Sequence, residues 1–81
     1  MEYTFEDAVK DAQTEVDEIG QMLKDGWDKR VVMDHIIFLK GCCDNARNLA
    51  KTYLDFDIVI RLEADLDALC DRFCESLGLV K

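Results

Sequence analysis

Four cysteines and one histidine carry the most distinctive chemistry in this sequence. The cysteines are Cys42, Cys43, Cys70 and Cys74, and the histidine is His35. Thiolate and imidazole groups are ligands that Zn²⁺ prefers in proteins, so a metal- or thiol-dependent sensor is one function that these residues allow. If the segments that carry them pair as antiparallel helices, His35 comes close to Cys74.

The alternative is that these side chains fill the core. Their spacing does not match a zinc knuckle, and adjacent side chains on a helix point about 100° apart. Free cysteine is among the most buried residue types and packs like a small apolar side chain. Without a secretory signal, we also expect the thiols to stay reduced in a cytosol. We therefore expect core packing for the cysteines and no bound metal or cofactor.

A stripe of like charge is the second pattern, formed by Glu63, Asp67, Asp71 and Glu75. These carboxylates recur every four residues, so a helix places them along one face, and no basic residue lies on that stripe. Each adjacent pair of like charges costs a helix roughly 0.2–0.5 kcal/mol. Two interpretations remain open: a solvated outer face, or a docking surface for a basic protein partner or a mimic of spaced phosphates.

An apolar patch is the third pattern. Met33 and Ile37 fall on the polar side of their helix, and Gly41 follows one turn later. Glycine inside a helix costs about 1 kcal/mol relative to alanine and permits close approach of another chain. The patch is therefore predicted to bind a partner or a second copy, unless another helix covers it. We expect it to lie away from the acidic stripe, so that the two form separate sites.

Three amphipathic segments must position these residues. Apolar residues recur at intervals of three and four over about 4–25, 28–53 and 56–77, which predicts three helices. The connections are short, so neighbouring helices should be antiparallel. We predict one all-α domain over residues 1–81, a three-helix up-down-up antiparallel bundle that could dimerise. The expected core is Phe5, Val9, Ala12, Val16, Ile19, Leu23, Val32, Ile36, Leu39, Cys43, Ala46, Ala50, Tyr53, Val59, Leu62, Leu66, Leu69, Phe73 and Leu77, with a second apolar set at Val31, His35, Phe38, Cys42 and Leu49.

The ends of the helices have their own signals. Thr4 and Asp28 are predicted N-caps, because short polar side chains accept the first free amide hydrogens of a helix. Asp55 is predicted to cap the third helix in the same way. Gly26 and Gly78 follow the first and third apolar patterns, as glycine often does at the left-handed end of a helix.

Composition limits the class of function. The 81 residues carry a net charge of −8, which argues against direct binding of nucleic acid or of an anionic membrane surface. No apolar run reaches the ~18–20 residues of a membrane span, and the first residues lack the basic and apolar regions of a signal peptide. We therefore expect a cytoplasmic protein. The acidic first and last thirds flank a mildly basic centre, since residues 26–54 carry three acids and five bases.

One segment of the second helix resembles a known family. The residues Leu39, Lys40 and Gly41 resemble the x-Leu-Lys-Gly pattern that follows the exposed histidine of histidine-phosphotransfer (HPt) domains. In this sequence Ile37 occupies the phosphoacceptor position, and His35 lies two residues earlier. The resemblance implies a helical bundle that docks partners without carrying phosphate.

No catalytic arrangement is visible in the sequence. There is no phosphate-binding glycine loop and no nucleophile elbow, so we expect no enzymatic activity. The leading prediction is a small acidic adaptor, inhibitor or regulator, of the kind that phages and plasmids encode, which binds a protein partner through its helix surfaces. The alternatives are the Cys/His sensor, the docking bundle that resembles an HPt domain, and a structural homo-oligomer.

Overall fold

Three helices make up the fold. The computed structural model describes residues 2–78, with α1 at Phe5–Asp25, α2 at Lys29–Leu49 and α3 at Tyr53–Ser76. Every pair of helices is in contact, and the described residues contain no strand. The prediction of an all-α three-helix bundle is therefore confirmed. No helix within this range combines the length and the apolar character needed to cross a membrane.

The predicted ends of α1 are confirmed. The Thr4 hydroxyl accepts a hydrogen bond from the Asp7 N–H at 3.2 Å, and the Thr4 N–H donates to the Asp7 carboxylate at 3.0 Å. This capping box satisfies amide hydrogens that have no partner within the helix. At the other end Gly26 adopts a left-handed φ of 74°, and the Trp27 N–H returns to the Met22 carbonyl at 3.1 Å.

The junction of α2 and α3 corrects the predicted boundaries. Helix α2 begins after its predicted cap, Asp28, but ends at Leu49 rather than near residue 53. Helix α3 starts with Thr52 as N-cap, because the Thr52 hydroxyl accepts from the Asp55 N–H at 3.1 Å. The Asp55 carboxylate in turn accepts from the Lys51 N–H at 2.9 Å. Asp55 thus lies in the first turn of α3 instead of capping it.

The core runs along one narrow stripe of each helix. The most buried line of α1 passes through Ala8, Ala12, Glu15, Ile19 and Met22, and the predicted Phe5, Val9, Val16 and Leu23 lie half-buried beside it. At one end of the bundle, small side chains from all three helices pack together: Ala8, Ala46 and Val59, each fully buried. The larger cluster includes Ile19, Leu39, Leu62 and Phe73.

Four residues of the predicted core and second apolar set are exposed, and one of them is Val31 at 36%. Tyr53 is 95% exposed, because it belongs to the first turn of α3 rather than to the end of α2. Phe38 is 55% exposed and Leu77 is 40% exposed. Each lies at the edge of its apolar stripe, where a neighbouring helix covers only part of the side chain. The stop at Gly78 is confirmed, with φ of 75° and an N–H bonded to the Glu75 carbonyl at 3.0 Å.

The cap of α3 gives a test of the corrected boundary. Thr52→Ala removes the hydroxyl that accepts the Asp55 N–H, and loss of such a cap costs about 0.5–2 kcal/mol of unfolding free energy. The measurement is urea unfolding followed by circular dichroism. The matched control is Thr14→Ala, which alters an exposed threonine inside α1 and is expected to change stability by less than ~0.5 kcal/mol. Equal effects of the two substitutions would contradict the assignment of Thr52 as N-cap.

Candidate functional site

The apolar patch of α2 is exposed in the folded chain. Met33 is 41% exposed and Ile37 is 61% exposed, one turn apart. A β-carbon placed on Gly41 would meet nothing within 4 Å. Gly41 therefore serves no close packing within the chain.

The C-terminal end of α3 borders this patch. Met33 lines an open groove together with Phe73 and Leu77, and Lys29, Arg30 and Asp34 add charged side chains to its wall. The groove has a volume of about 390 Å³. The apolar surface of α2 is therefore continuous with exposed apolar surface contributed by α3.

Helices α2 and α3 run side by side along this surface. Cys70 lies within the electrostatic reach of Lys40 on α2 and of Asp67 and Asp71 on its own helix. Residues 33–40 of α2 consequently run alongside residues 70–77 of α3. Gly41 instead lines a cleft with Tyr3 and Asp11 on the α1 side of α2. We call the surface formed by Met33, Ile37 and Leu77, together with the exposed α3 carboxylates Asp67, Asp71 and Glu75, the α2–α3 face.

Glu63 differs from the other members of the stripe. Its carboxylate accepts two hydrogen bonds from the Arg47 guanidinium of α2, from Nη2 to one oxygen and from Nε to the other, the second at 3.2 Å. Arg47 of α2 therefore offsets the negative charge of Glu63, which has no basic partner on the stripe itself. Asp67, Asp71 and Glu75 remain exposed, so three of the four predicted carboxylates present their charge to solvent on the α2–α3 face.

The thiols do not gather around the histidine. Cys42 and Cys43 are buried, Cys70 is half-buried and Cys74 is exposed, and all four are free. Burial raises the pKa of Cys43 to about 11 and raises the pKa of Cys42 and of Cys70. Core packing is thus confirmed for Cys42 and Cys43, but the prediction is wrong for Cys74, which lies at the exposed edge of α3.

His35 contacts α1 instead. Its Nδ1 lies 2.7 Å from a carboxylate oxygen of Glu15, which is 7% exposed and the only charged residue that is buried among residues 2–78. Glu18 presents a third potential ligand atom within 4.8 Å. This group was not predicted from the sequence, because acidic side chains are expected to lie outside the core. Glu15 lies three residues after Ala12 and four before Ile19, which is the spacing of the buried line of α1. That spacing was the available signal that Glu15 is buried.

A second exposed apolar surface was also missed. Tyr53, Phe56 and Ile60 share one face of α3, at 95%, 40% and 60% exposure. Leu54, beside them, is 77% exposed. The misplaced end of α2 concealed this surface, since it assigned Tyr53 to the wrong helix.

No family model, curated protein or solved structure matches this chain. The resemblance to HPt domains therefore has no support from relatives. At its central position the side chain of Ile37 projects outward, Leu39 is fully buried and Lys40 is exposed. The position that matches the HPt phosphoacceptor is thus accessible, but it carries the isoleucine side chain of Ile37 instead of an imidazole.

Thiol reactivity tests this arrangement. At pH 8 one thiol per chain, Cys74, is expected to react quickly with a disulfide reagent, because the other three are shielded and their raised pKa values leave little thiolate. Cys74→Ser should remove the fast phase, whereas Cys43→Ser should leave it intact. The slow phase should accelerate as the pH rises toward 11. Two or more fast thiols in the folded wild-type chain would contradict the burial described here.

Proposed function

We propose that this protein is a small, acidic, non-catalytic binding module that acts on a protein partner through its α2–α3 face. The supporting observation is that exposed Met33 and Leu77 line one groove. Exposed Ile37 lies one turn further along α2, and Asp67 and Asp71 are exposed on α3. An apolar centre with a polar rim is the usual anatomy of a protein–protein interface. Large apolar side chains that converge on one surface favour a partner more than isolated ones do.

The charge of the molecule supports a basic partner. The chain carries 18 acidic and 10 basic residues, so its long-range field attracts cationic proteins. On the face itself, Asp67, Asp71 and Glu75 line the α3 side, while Glu63 is already neutralised by Arg47. The partner is proposed to place apolar side chains in the groove and basic ones against Asp67 and Asp71. Adaptor, inhibitor and regulator remain roles that this chemistry would serve equally.

A matched pair of charge reversals tests this proposal. The double substitution Asp67→Lys and Asp71→Lys should weaken capture of a specific partner from cells of the source, measured by quantitative mass spectrometry. Exposed ion pairs contribute roughly 0.2–1 kcal/mol each, so we expect a several-fold loss at low salt. The loss should shrink as salt is raised, because salt screens such pairs.

The control carries the same change in charge elsewhere. Glu2→Lys and Asp17→Lys reverse two exposed carboxylates on and before α1, so they shift the net charge equally. If the control weakens capture as much as the α3 variant, the partner senses net charge and the proposed face is wrong. Unchanged capture by both variants would also reject it.

A homodimer is the second candidate function, and the distribution of charge on the face favours it. Lys29 and Arg30 line the groove, while Asp67 and Asp71 lie further along α3. In a two-fold dimer the same surface contacts itself, so the basic side chains of one copy could meet the acidic part of the other. Light scattering should then give twice the 9.3 kDa of one chain, and Ile37→Glu should restore the monomer. A wild-type monomer at high concentration would exclude this candidate.

A further inference from the structure

Glu15, Glu18 and His35 bring three potential metal ligands together on the side of α2 that faces α1. One carboxylate oxygen from each glutamate and an imidazole nitrogen all lie within 4.8 Å of one another. Glu15 and Glu18 are three residues apart, so they share one face of α1. His35 reaches them from α2, and it is the only histidine in the sequence.

The burial of Glu15 shows that this is more than a cluster of surface acids. Its side chain is 10% exposed, whereas that of His35 is 32% exposed. Placing a carboxylate in the line of core residues is costly unless positive charge or hydrogen bonds compensate it. His35 supplies a full positive charge only when it is protonated. A divalent cation bound to the neutral imidazole would supply positive charge without that proton.

The surroundings fit a cation as well. Glu15 and His35 line an open cleft of about 320 Å³ with Asp34 and Phe38. Asp34 adds another carboxylate to the wall of this cleft. The cleft leaves room for a water ligand.

We propose that Glu15, Glu18 and His35 form a binding site for a divalent transition-metal ion of the Zn²⁺ class. Zn²⁺ binds imidazole nitrogen and carboxylate oxygen at about 2.0–2.2 Å, which places tetrahedral ligand atoms roughly 3.3 Å apart. The 2.7 Å separation of the Glu15 and His35 atoms needs to widen only slightly, and the exposed side chain of Glu18 can move inward. One water completes four ligands.

The donor set favours this class over hard cations. Calcium takes six to eight oxygen ligands and magnesium requires near-octahedral oxygen geometry, whereas one nitrogen with two carboxylates suits zinc and its neighbours. The bound ion would join α1 to α2 across the bundle. It would therefore stabilise the folded chain, since the ligands come together only after folding.

Titration of the reduced, metal-free 81-residue chain tests the site. Isothermal calorimetry with Zn²⁺ should give one site per chain, and Co²⁺ should give visible ligand-field bands without the intense thiolate-to-metal bands. Zinc should also raise the midpoint of thermal unfolding. Glu18→Gln should reduce the zinc affinity at least tenfold, and His35→Gln should do the same. Glu18 is exposed, so its variant keeps the test valid even if the His35 variant unfolds.

Asp17→Asn is the matched control, because it removes the same charge from the neighbouring exposed position of α1. It should leave the zinc affinity within twofold of wild type. Thiolate-to-cobalt bands would place the ion at the cysteines and overturn the proposal. Absence of zinc binding, or an equal loss with Asp17→Asn and Glu18→Gln, would overturn it too. None of these readouts depends on the protein partner proposed above.

Discussion

The rotation of α2 about its own axis is the constraint on which the rest of the structure depends. Val32, Leu39 and Ala46 are fully buried, and burial of this line contributes about 25 cal/mol for each Å² of apolar surface removed from water. Once these three residues are buried, the rotation of α2 is set. The position of every other α2 residue around the helix then determines where its side chain points. His35 must turn toward α1, and Met33 and Ile37 must turn toward the outer side of α3.

Much of the fold could be predicted from the sequence, because the signals are local. Apolar intervals of three and four identify the helices, and Thr4, Gly26 and Asp28 mark their ends through backbone chemistry. The predicted boundary between α2 and α3 was wrong, because apolar Tyr53 and Leu54 continue the periodic pattern of α2 beyond its true end at Leu49. The sequence Thr52-x-x-Asp55 repeats the Thr4-x-x-Asp7 capping signature of α1, so the correct signal was present. Capping chemistry is more specific than hydrophobicity at such a boundary.

The candidate site was less predictable, because its parts come from different helices. The exposure of Met33 and Ile37 can be predicted from their angular positions around α2 alone. The groove that Met33 shares with Leu77, and the pairing of Glu63 with Arg47, depend on the register between α2 and α3. No residue count fixes that register, since it results from how side chains of unequal size interlock. For the same reason, the contact between Glu15 and His35 could not be read from either helix alone.

The two proposed sites are linked through α2. His35 and Ile37 are two residues apart, about 200° around the helix, so they face opposite sides of it. A ligand that joins His35 to α1 would hold the rotation of α2, and that same rotation determines how Ile37 is presented beside α3. If both sites operate, binding at one would change affinity at the other, and by thermodynamic linkage the effect would be reciprocal. The size of that coupling would depend on how freely α2 turns in the unliganded chain, since a rotation already fixed by the core leaves a ligand little to restrict.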